Sequence, residues 1–339
     1  MSNRAKSQAD GDQPKASPLH ALLGCGIGLG VVLVLVLLTM AFGPSGTFFG
    51  IIFLVVAVVF IARRYRFSLR TFLLVVTILS LWLGLKLSRD ARLDRALSHI
   101  RSSGGRVKTM DRQPDFPWGL WKYRYQVDYY GLGKPLSEQD FSRLEVFAPS
   151  SLYRLDVSNT GITDEDLKFI EGHTQLRILS LANETYASGG VIPDRPQNRI
   201  TDAGLARLGQ LKNLQGLNLQ GLDITDDGLK ILAAMPHLKW VYLDGTRVAG
   251  PGLAHLRTHE DLRMLELNAC NLMPSGYQKL IQIPGLSSLG LSNTGITDTD
   301  LRLLEQNTQL GILRLKDTGV SAEAVQQFQL SHPKCKIER

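Results

Sequence analysis

Cysteine is scarce and unpaired in this chain. The 339 residues hold three, Cys25, Cys270 and Cys335, and none belongs to a C-x-x-C pair. Neither a disulfide framework nor a cysteine metal site is indicated, and three scattered thiols leave the redox compartment open. Catalytic signatures are missing too. There is no G-x-S-x-G elbow, and no carboxylate pair stands out from the acidic residues that follow threonines as helix starts. His255 and His259 are four apart with Glu260 adjacent, but Leu256 stands where the metalloprotease pattern needs Glu, and no third ligand is evident. The pair is expected at a solvated helix end. The glycines of Gly24–Gly30, GCGIGLG, lack the strand-turn-helix context and the Lys-Ser/Thr of a phosphate loop. As Gly24/Gly28 and Gly26/Gly30 they are small residues four apart, suited to close helix packing. The expectation is a chain without catalysis, cofactor or metal.

Charge is missing from long stretches. None occurs from Leu19 to Phe42, and Leu22–Phe42 alone supplies 21 residues, enough for a spanning helix that needs about 20. GPSG at Gly43–Gly46 breaks that run, and two more uncharged runs follow it, 16 long from Thr47 to Ala62 and 15 long from Thr71 to Leu85, the latter extendable through Lys86 by snorkelling. The last two are short, so three crossings is the reading adopted and two stays open. The resulting anchor is 19–87, with spans near 19–42, 47–62 and 71–87, after a polar tail at 1–18. A cleaved signal peptide fits poorly, because the first run is long and no small-residue cleavage site precedes the second. The net charge of +7 belongs to this half: residues 1–149 carry 19 Lys and Arg against 10 Asp and Glu, whereas 150–339 carry 19 against 21. A basic excess beside apolar runs suits a membrane better than nucleic acid.

Arg4, Lys6 and Lys15 precede the first run, no cation lies between the first and second, and Arg63, Arg64, Arg66 and Arg70 lie between the second and third. By the positive-inside rule the tail and second connection are cytoplasmic. Three spans then place the rest of the chain outside, although Lys86, Arg89, Arg92 and Arg95 after the third run count against it. In 88–124, Leu93, Leu97 and Ile100 have helical spacing and continue the third span as an amphipathic helix, which SSGG at Ser102 ends. Trp118 and Trp121 suit either the lipid interface or a cap on the C-terminal part of the chain. The cap is preferred, since the end of a repeat core must be covered.

What the remainder has is repetition. NTGITD occurs at Asn159–Asp164 and again, letter for letter, at Asn293–Asp298. The frame Leu152-x-x-Leu155-x-Val157-x-x-Thr160-x-Ile162 recurs from Leu176, Leu214, Leu238, Leu262, Leu286 and Leu310, with a period of 24 broken by one step of 38. The surplus of 14 is an insertion, Glu184–Gln197. Val127, Tyr129 and LSEQDFSRL at Leu136–Leu144 make a degenerate first unit, and Ile337 marks a truncated last one. Alternation around the leucines predicts a strand, and Thr163 or Thr297 with an acid three positions later predicts a helix cap. One unit cannot bury its own apolar stripe, but stacked units share one. At the ninth position, Thr160, Asn198, Thr246, Cys270, Thr294 and Thr318 are expected to bond the neighbouring turn's backbone, with Leu222 departing from the pattern.

ITDAGLARL at Ile200–Leu208 and ITDDGLKIL at Ile224–Leu232 resemble leucine-rich repeats of the cysteine-containing type. The likeness covers 125–339, with VAGPGL and LMPSGY as drifting copies. RFSLRTFLLVVTILSLWLG also resembles the anchor preceding such repeats in some bacterial membrane proteins, where the repeats lie outside. The resemblance implies a curved α/β solenoid of about seven units with terminal half-units, non-catalytic, that binds through the strand residues of its concave face. The third and fifth positions there bring Trp240, Tyr242 and Met264 side by side, flanked by Asp244, Glu266 and Asn268. An aromatic cluster with a polar rim is what an interaction hot spot looks like, and the insertion is a second candidate. The expected function is a membrane-anchored module for a protein or cell-envelope ligand. A structural scaffold of an envelope assembly is the alternative. A ubiquitin-ligase-type substrate adaptor fits less well, because 1–149 offers spans and no adaptor domain.

Overall fold

The computed structural model describes residues 69–115, 120–129, 135–147, 151–183 and 195–339. The chain divides into two compact units, Met1–Arg89 and Asp90–Arg339. The expected tail at 1–18 and the spans at 19–42 and 47–62 lie outside the described residues. The third, 71–87, falls on a helix from Leu69 to Ser102, on which Leu74, Ile78, Leu81, Trp82 and Leu85 are exposed. Among the described residues no helix is long and apolar enough to cross a membrane.

The second unit is built on one ten-stranded sheet in chain order: β1 (Arg106–Asp115), β2 (Leu120–Asp128), β3 (Leu152–Asp156), β4 (Ile178–Ser180), β5 (Gly216–Asn218), β6 (Trp240–Tyr242), β7 (Met264–Glu266), β8 (Ser288–Gly290), β9 (Ile312–Arg314) and β10 (Lys336–Glu338). β1 and β2 form an antiparallel hairpin, and every later pairing is parallel. The register is that of the sequence repeat. Leu155 pairs with Leu179, Leu179 with Leu217, and Leu217 with Val241, so the one long step leaves the strands aligned and its surplus loops out. The last half-unit aligns the same way, Ile337 against Leu313.

Leu152, Leu155, Val157, Ile162, Leu167 and Ile170, with their equivalents in later units, are fully or almost fully buried and belong to one continuous core. Burying each such side chain stabilises by about 1.5–3 kcal/mol, and only the neighbouring unit makes the burial possible. Val127, Tyr129, Phe141 and Leu144 extend that core into the degenerate first unit, where Ser137 caps the helix Glu138–Ser142. The N-terminal end is covered by Ile100, fully buried, with Leu93 and Leu97 packed beside it. Gly105 makes room there, since a Cβ would stand 2.7 Å from Ile100 Cγ2. Trp118 and the side chain of Trp121, the expected cap, lie outside the described residues.

NTGITD resolves into two devices. Its Asn is in the left-handed region at Asn159 (φ 54°) and Asn293 (φ 53°), as are Gly221, Gly245, Ala269 and Asp317 at the same place in other units. Asn and Gly tolerate that conformation best. Its Thr-Asp is a cap with two solutions. At Ser137, Thr163 and Thr297 the cap N–H and hydroxyl donate to the carboxylate three positions on, Asp140, Asp166 and Asp300. Elsewhere the preceding unit supplies the carboxylate: Asp164 accepts from Thr201 N and Oγ1 (2.8 and 2.6 Å), Asp202 from Thr225 (2.9 and 2.6 Å) and Asp298 from Ser321 (2.8 and 2.7 Å). This second solution accounts for the glycine of ITDxGL, because a Cβ on Gly204 or Gly228 would collide with Asp164 or Asp202.

The ninth-position expectation needs correction. Thr160, Thr246, Thr294 and Thr318 donate to the carbonyl three positions back in their own turn, at 2.6–2.8 Å. Their side chains are short, and the local carbonyl is nearest. Asn198 donates to Leu181 O of its own turn but also to Val157 O of the preceding one, whose Thr160 N and Ile162 N it accepts from, and Cys270 reaches Leu243 O, so these two do bond the neighbouring turn's backbone.

Candidate functional site

Third and fifth strand positions face away from the leucine core, on the open face of the sheet. Most units carry small or polar groups there, and the fourth and fifth carry bulk. Trp240 and Tyr242 are half-buried, their rings 5.0 Å apart and tilted by 34°. The Trp240 indole lies across Gly216 of the preceding strand, where any Cβ would collide with it. The Tyr242 hydroxyl meets Met264 Sδ at 3.3 Å. The three side chains that the sequence placed side by side thus form a platform, with the space for it made by a glycine one unit back.

The flanking polar residues form a ladder and not a free rim. Asn268 donates from its backbone N (2.8 Å) and Nδ2 (2.6 Å) to Asp244 Oδ1, and from Nδ2 to Glu266 Oε2 (3.0 Å). Its Oδ1 accepts from Ser292 N at 2.8 Å. Glu266 is buried, 8% exposed, and accepts from Arg314 Nη1 at 2.5 Å, while Arg314 Nε stands 3.1 Å from Glu338 Oε2. Buried groups of this polarity cost free energy unless satisfied, and most of their bonding capacity is used internally. Burial pushes both carboxyls above their ordinary range; Arg314 and Asn268 oppose this at Glu266, and chiefly Asn268 opposes it at Asp244. Burial also raises the Tyr242 phenol, helped by the two carboxylates.

The sequence patterns did not single out Arg314, Glu338, Gly216 or Gly290. A signal for Arg314 was present: it shares the fifth-position column with Glu266, two units on, within reach of a long guanidinium. Gly290 is the hollow over which the Glu266 carboxylate lies.

Residues 184–194 of the insertion Glu184–Gln197 lie outside the described residues. Its base is clasped by a reciprocal pair, Asn198 N to Asn183 Oδ1 (2.6 Å) and Asn183 Nδ2 to Asn198 O (2.9 Å). An open cleft beside it is lined by Pro135, Gly161, Thr163, Arg195, Pro196, Gln197 and Arg199.

His259 is not at a solvated helix end. It is buried, 1% exposed, with Nε2 3.0 Å from Leu232 O of the preceding unit. His332 makes a like contact near the C-terminal end of the stack, its Nε2 3.1 Å from Asn307 O, and His173 is buried at the position equivalent to His259. A ring nitrogen that can meet the carbonyl one unit back explains a histidine where Leu211, Met235 and Ile283 stand in other units. Among the described residues no three His, Cys, Asp or Glu gather as they would for a metal ion. Cys270 and Cys335 are buried free thiols.

The fold is an α/β stack of 24-residue units, each contributing one strand and a buried set of mainly leucine side chains. No protein-family model matches the chain, and no curated protein does. Solved structures similar to it include internalin F of Listeria monocytogenes (19% identity, TM-score 0.43, 60% of this chain and 58% of that one) and a leucine-rich repeat protein of Leptospira interrogans (17%, 0.35, 58% and 62%). Internalin C2 of Listeria monocytogenes is a third (19%, 0.38, 60% and 84%). The chain spans less than two thirds of the length of the first two. The strand order and the repeat register, independent of these likenesses, establish the architecture.

Proposed function

We propose that the chain is a membrane-anchored, non-catalytic binding protein whose repeat unit lies outside the cytoplasm and takes a protein or cell-envelope ligand on its open sheet face. The platform of Trp240, Tyr242 and Met264 carries this reading. It is the bulkiest group on that face, it is only half-buried, and a glycine is kept beneath it where any side chain would displace the indole. Aromatic side chains held rigid at low conformational cost are the usual anchors of an interface. The anchor rests on the three uncharged runs and the arginines between them, joined by the apolar side chains exposed along Leu74–Leu85.

Two measurements test this. Crosslinking in intact cells followed by mass spectrometry should recover a partner with the unaltered chain and lose it with Trp240→Ala/Tyr242→Ala, while the variant keeps its melting temperature within a few degrees. Equal recovery would remove the platform from the site. A reporter active only outside the cytoplasm, fused after Arg339, should be active; a well-expressed but inactive fusion would sink the topology.

A further inference from the structure

We infer that the ligand presents a basic segment to the platform, an Arg or Lys side chain lying over Trp240 and Tyr242 with its charge toward Asp244. The inference rests on the proposed function and specifies the chemistry of its partner. Three observations support it. First, the indole lies over Gly216 and is only half-buried, so part of the ring stays open to a ligand. A guanidinium or ammonium within about 6 Å of such a ring is attracted by its quadrupole, most strongly for Trp.

Second, the charges beside the platform are unbalanced. Glu266 has Arg314 as its counter-ion. Among the described residues, the groups of other residues that stand at hydrogen-bond distance from the Asp244 carboxylate are the two amides of Asn268, both on Oδ1. Among the described residues no cation is in ion-pair contact with this carboxylate; the Arg314 charge acts on it only from beyond such contact, and burial holds it at a cost that a cation would offset.

Third, the fifth and seventh columns bring no cation to the platform from the preceding units; Arg314 and Lys316 enter them two units beyond Glu266 and Asn268. From Asp156 to Asn268, the fifth and seventh positions carry Asp156, Asp244 and Glu266 and neither Lys nor Arg. Arg154 lies 3.8 Å from Asp156, and Lys239 and Arg263 sit at the second position, just before their strands begin. A segment running along the acidic columns therefore meets aromatic faces and carboxylates together. An acidic segment would meet like charge at Asp244, the one of these three carboxylates with no ion-pair contact among the described residues. A neutral sugar could stack on the indole, but would have no use for Asp244.

Fluorescence polarisation with the full chain in nonionic detergent tests this, using labelled nine-residue peptides of alternating Arg and Gly, Lys and Gly, or Glu and Gly, with a neutral oligosaccharide as competitor. The basic peptides should bind at least tenfold more tightly than the acidic one, and less tightly as salt is raised. Asp244→Asn keeps an acceptor for Asn268 and the side-chain shape; it and Trp240→Ala should each weaken the basic peptide about tenfold or more. Equal binding of acidic and basic peptides, undiminished binding by Asp244→Asn, or displacement by the oligosaccharide would overturn the inference. If the crosslinked partner is lost in the platform double variant while basic peptides show no preference, the open-face site stands and the cationic chemistry falls. If neither depends on the platform, both fall.

Discussion

The two sides of each repeat obey different rules. On the turn and helix side, the same letters recur because each unit is a partner for the next: Asp164 holds Thr201, Asp202 holds Thr225, and Gly204 and Gly228 let those carboxylates in. On the open face the leucine frame is constant while the letters between change freely, and one pair of units gathers Trp240, Tyr242 and Met264 over a ladder running from Asp244 to Glu338. Repetition marks packing, and departure from repetition marks the place where something besides packing is selected.

Substitution on the two sides of one strand should separate these roles most strongly. Leu243→Ala, in the core beside β6, should lower the unfolding free energy by roughly 2–5 kcal/mol, read by urea titration of the detergent-solubilised chain. Trp240→Ala should cost about 1 kcal/mol, because it removes a ring–ring contact and partly buried area, while abolishing partner capture. Comparable losses of stability would mean that the platform is packing.

A double-mutant cycle sharpens the turn-side rule. Gly204→Ala should destabilise by about 1–3 kcal/mol through overpacking against Asp164, and Asp164→Ala by about 1–3 kcal/mol through the unmet Thr201 groups. Together they should cost clearly less than the sum, since the second removes the obstacle to the first. Additive losses would show that Asp164 is not what requires the glycine.

The sides also respond oppositely to pH. Burial lowers the His173 pKa below 6.5, so the unfolded chain binds the extra proton, and stability present above that pH is lost as pH falls through it. Replacement by Met, as at position 235, should remove this slope, which for one group is at most about 1.4 kcal/mol per pH unit. Asp244 is raised above 3.8, so the folded chain binds the extra proton, and its contribution grows as pH falls through the raised value. Asp244→Asn should remove that growth, seen as a changed difference between variant and unaltered melting curves from neutral pH to 4. The smallest effect is expected at Ala269, which holds φ 56° where other units have Asn, Asp or Gly. Ala269→Gly should stabilise by roughly 1 kcal/mol, measured by the same urea titration.

Much of this was legible in the chain. The period of 24, the insertion, the degenerate unit ending in LSEQDFSRL and the capping acids at Asp166 and Asp300 follow from spacing and cap chemistry, which are local. The neighbours of His259 were not legible, because a ring that meets the Leu232 carbonyl of the preceding unit reads the same in sequence as one in solvent. The ninth-position threonines were misassigned for the opposite reason: a local carbonyl competes with the neighbouring turn, and which lies nearer depends on backbone geometry.

By itself, then, the sequence determined the unit and its stacking, because a recurring apolar stripe has one way to be buried, against its own copy. Tertiary structure alone decided which polar groups the stack consumes. Asp244, Glu266 and Asn268 were an exposed rim in the sequence and became a bonded ladder in the fold. Strand register brought Arg314, two units beyond Glu266, to within 2.5 Å of it, and no local pattern carries that distance.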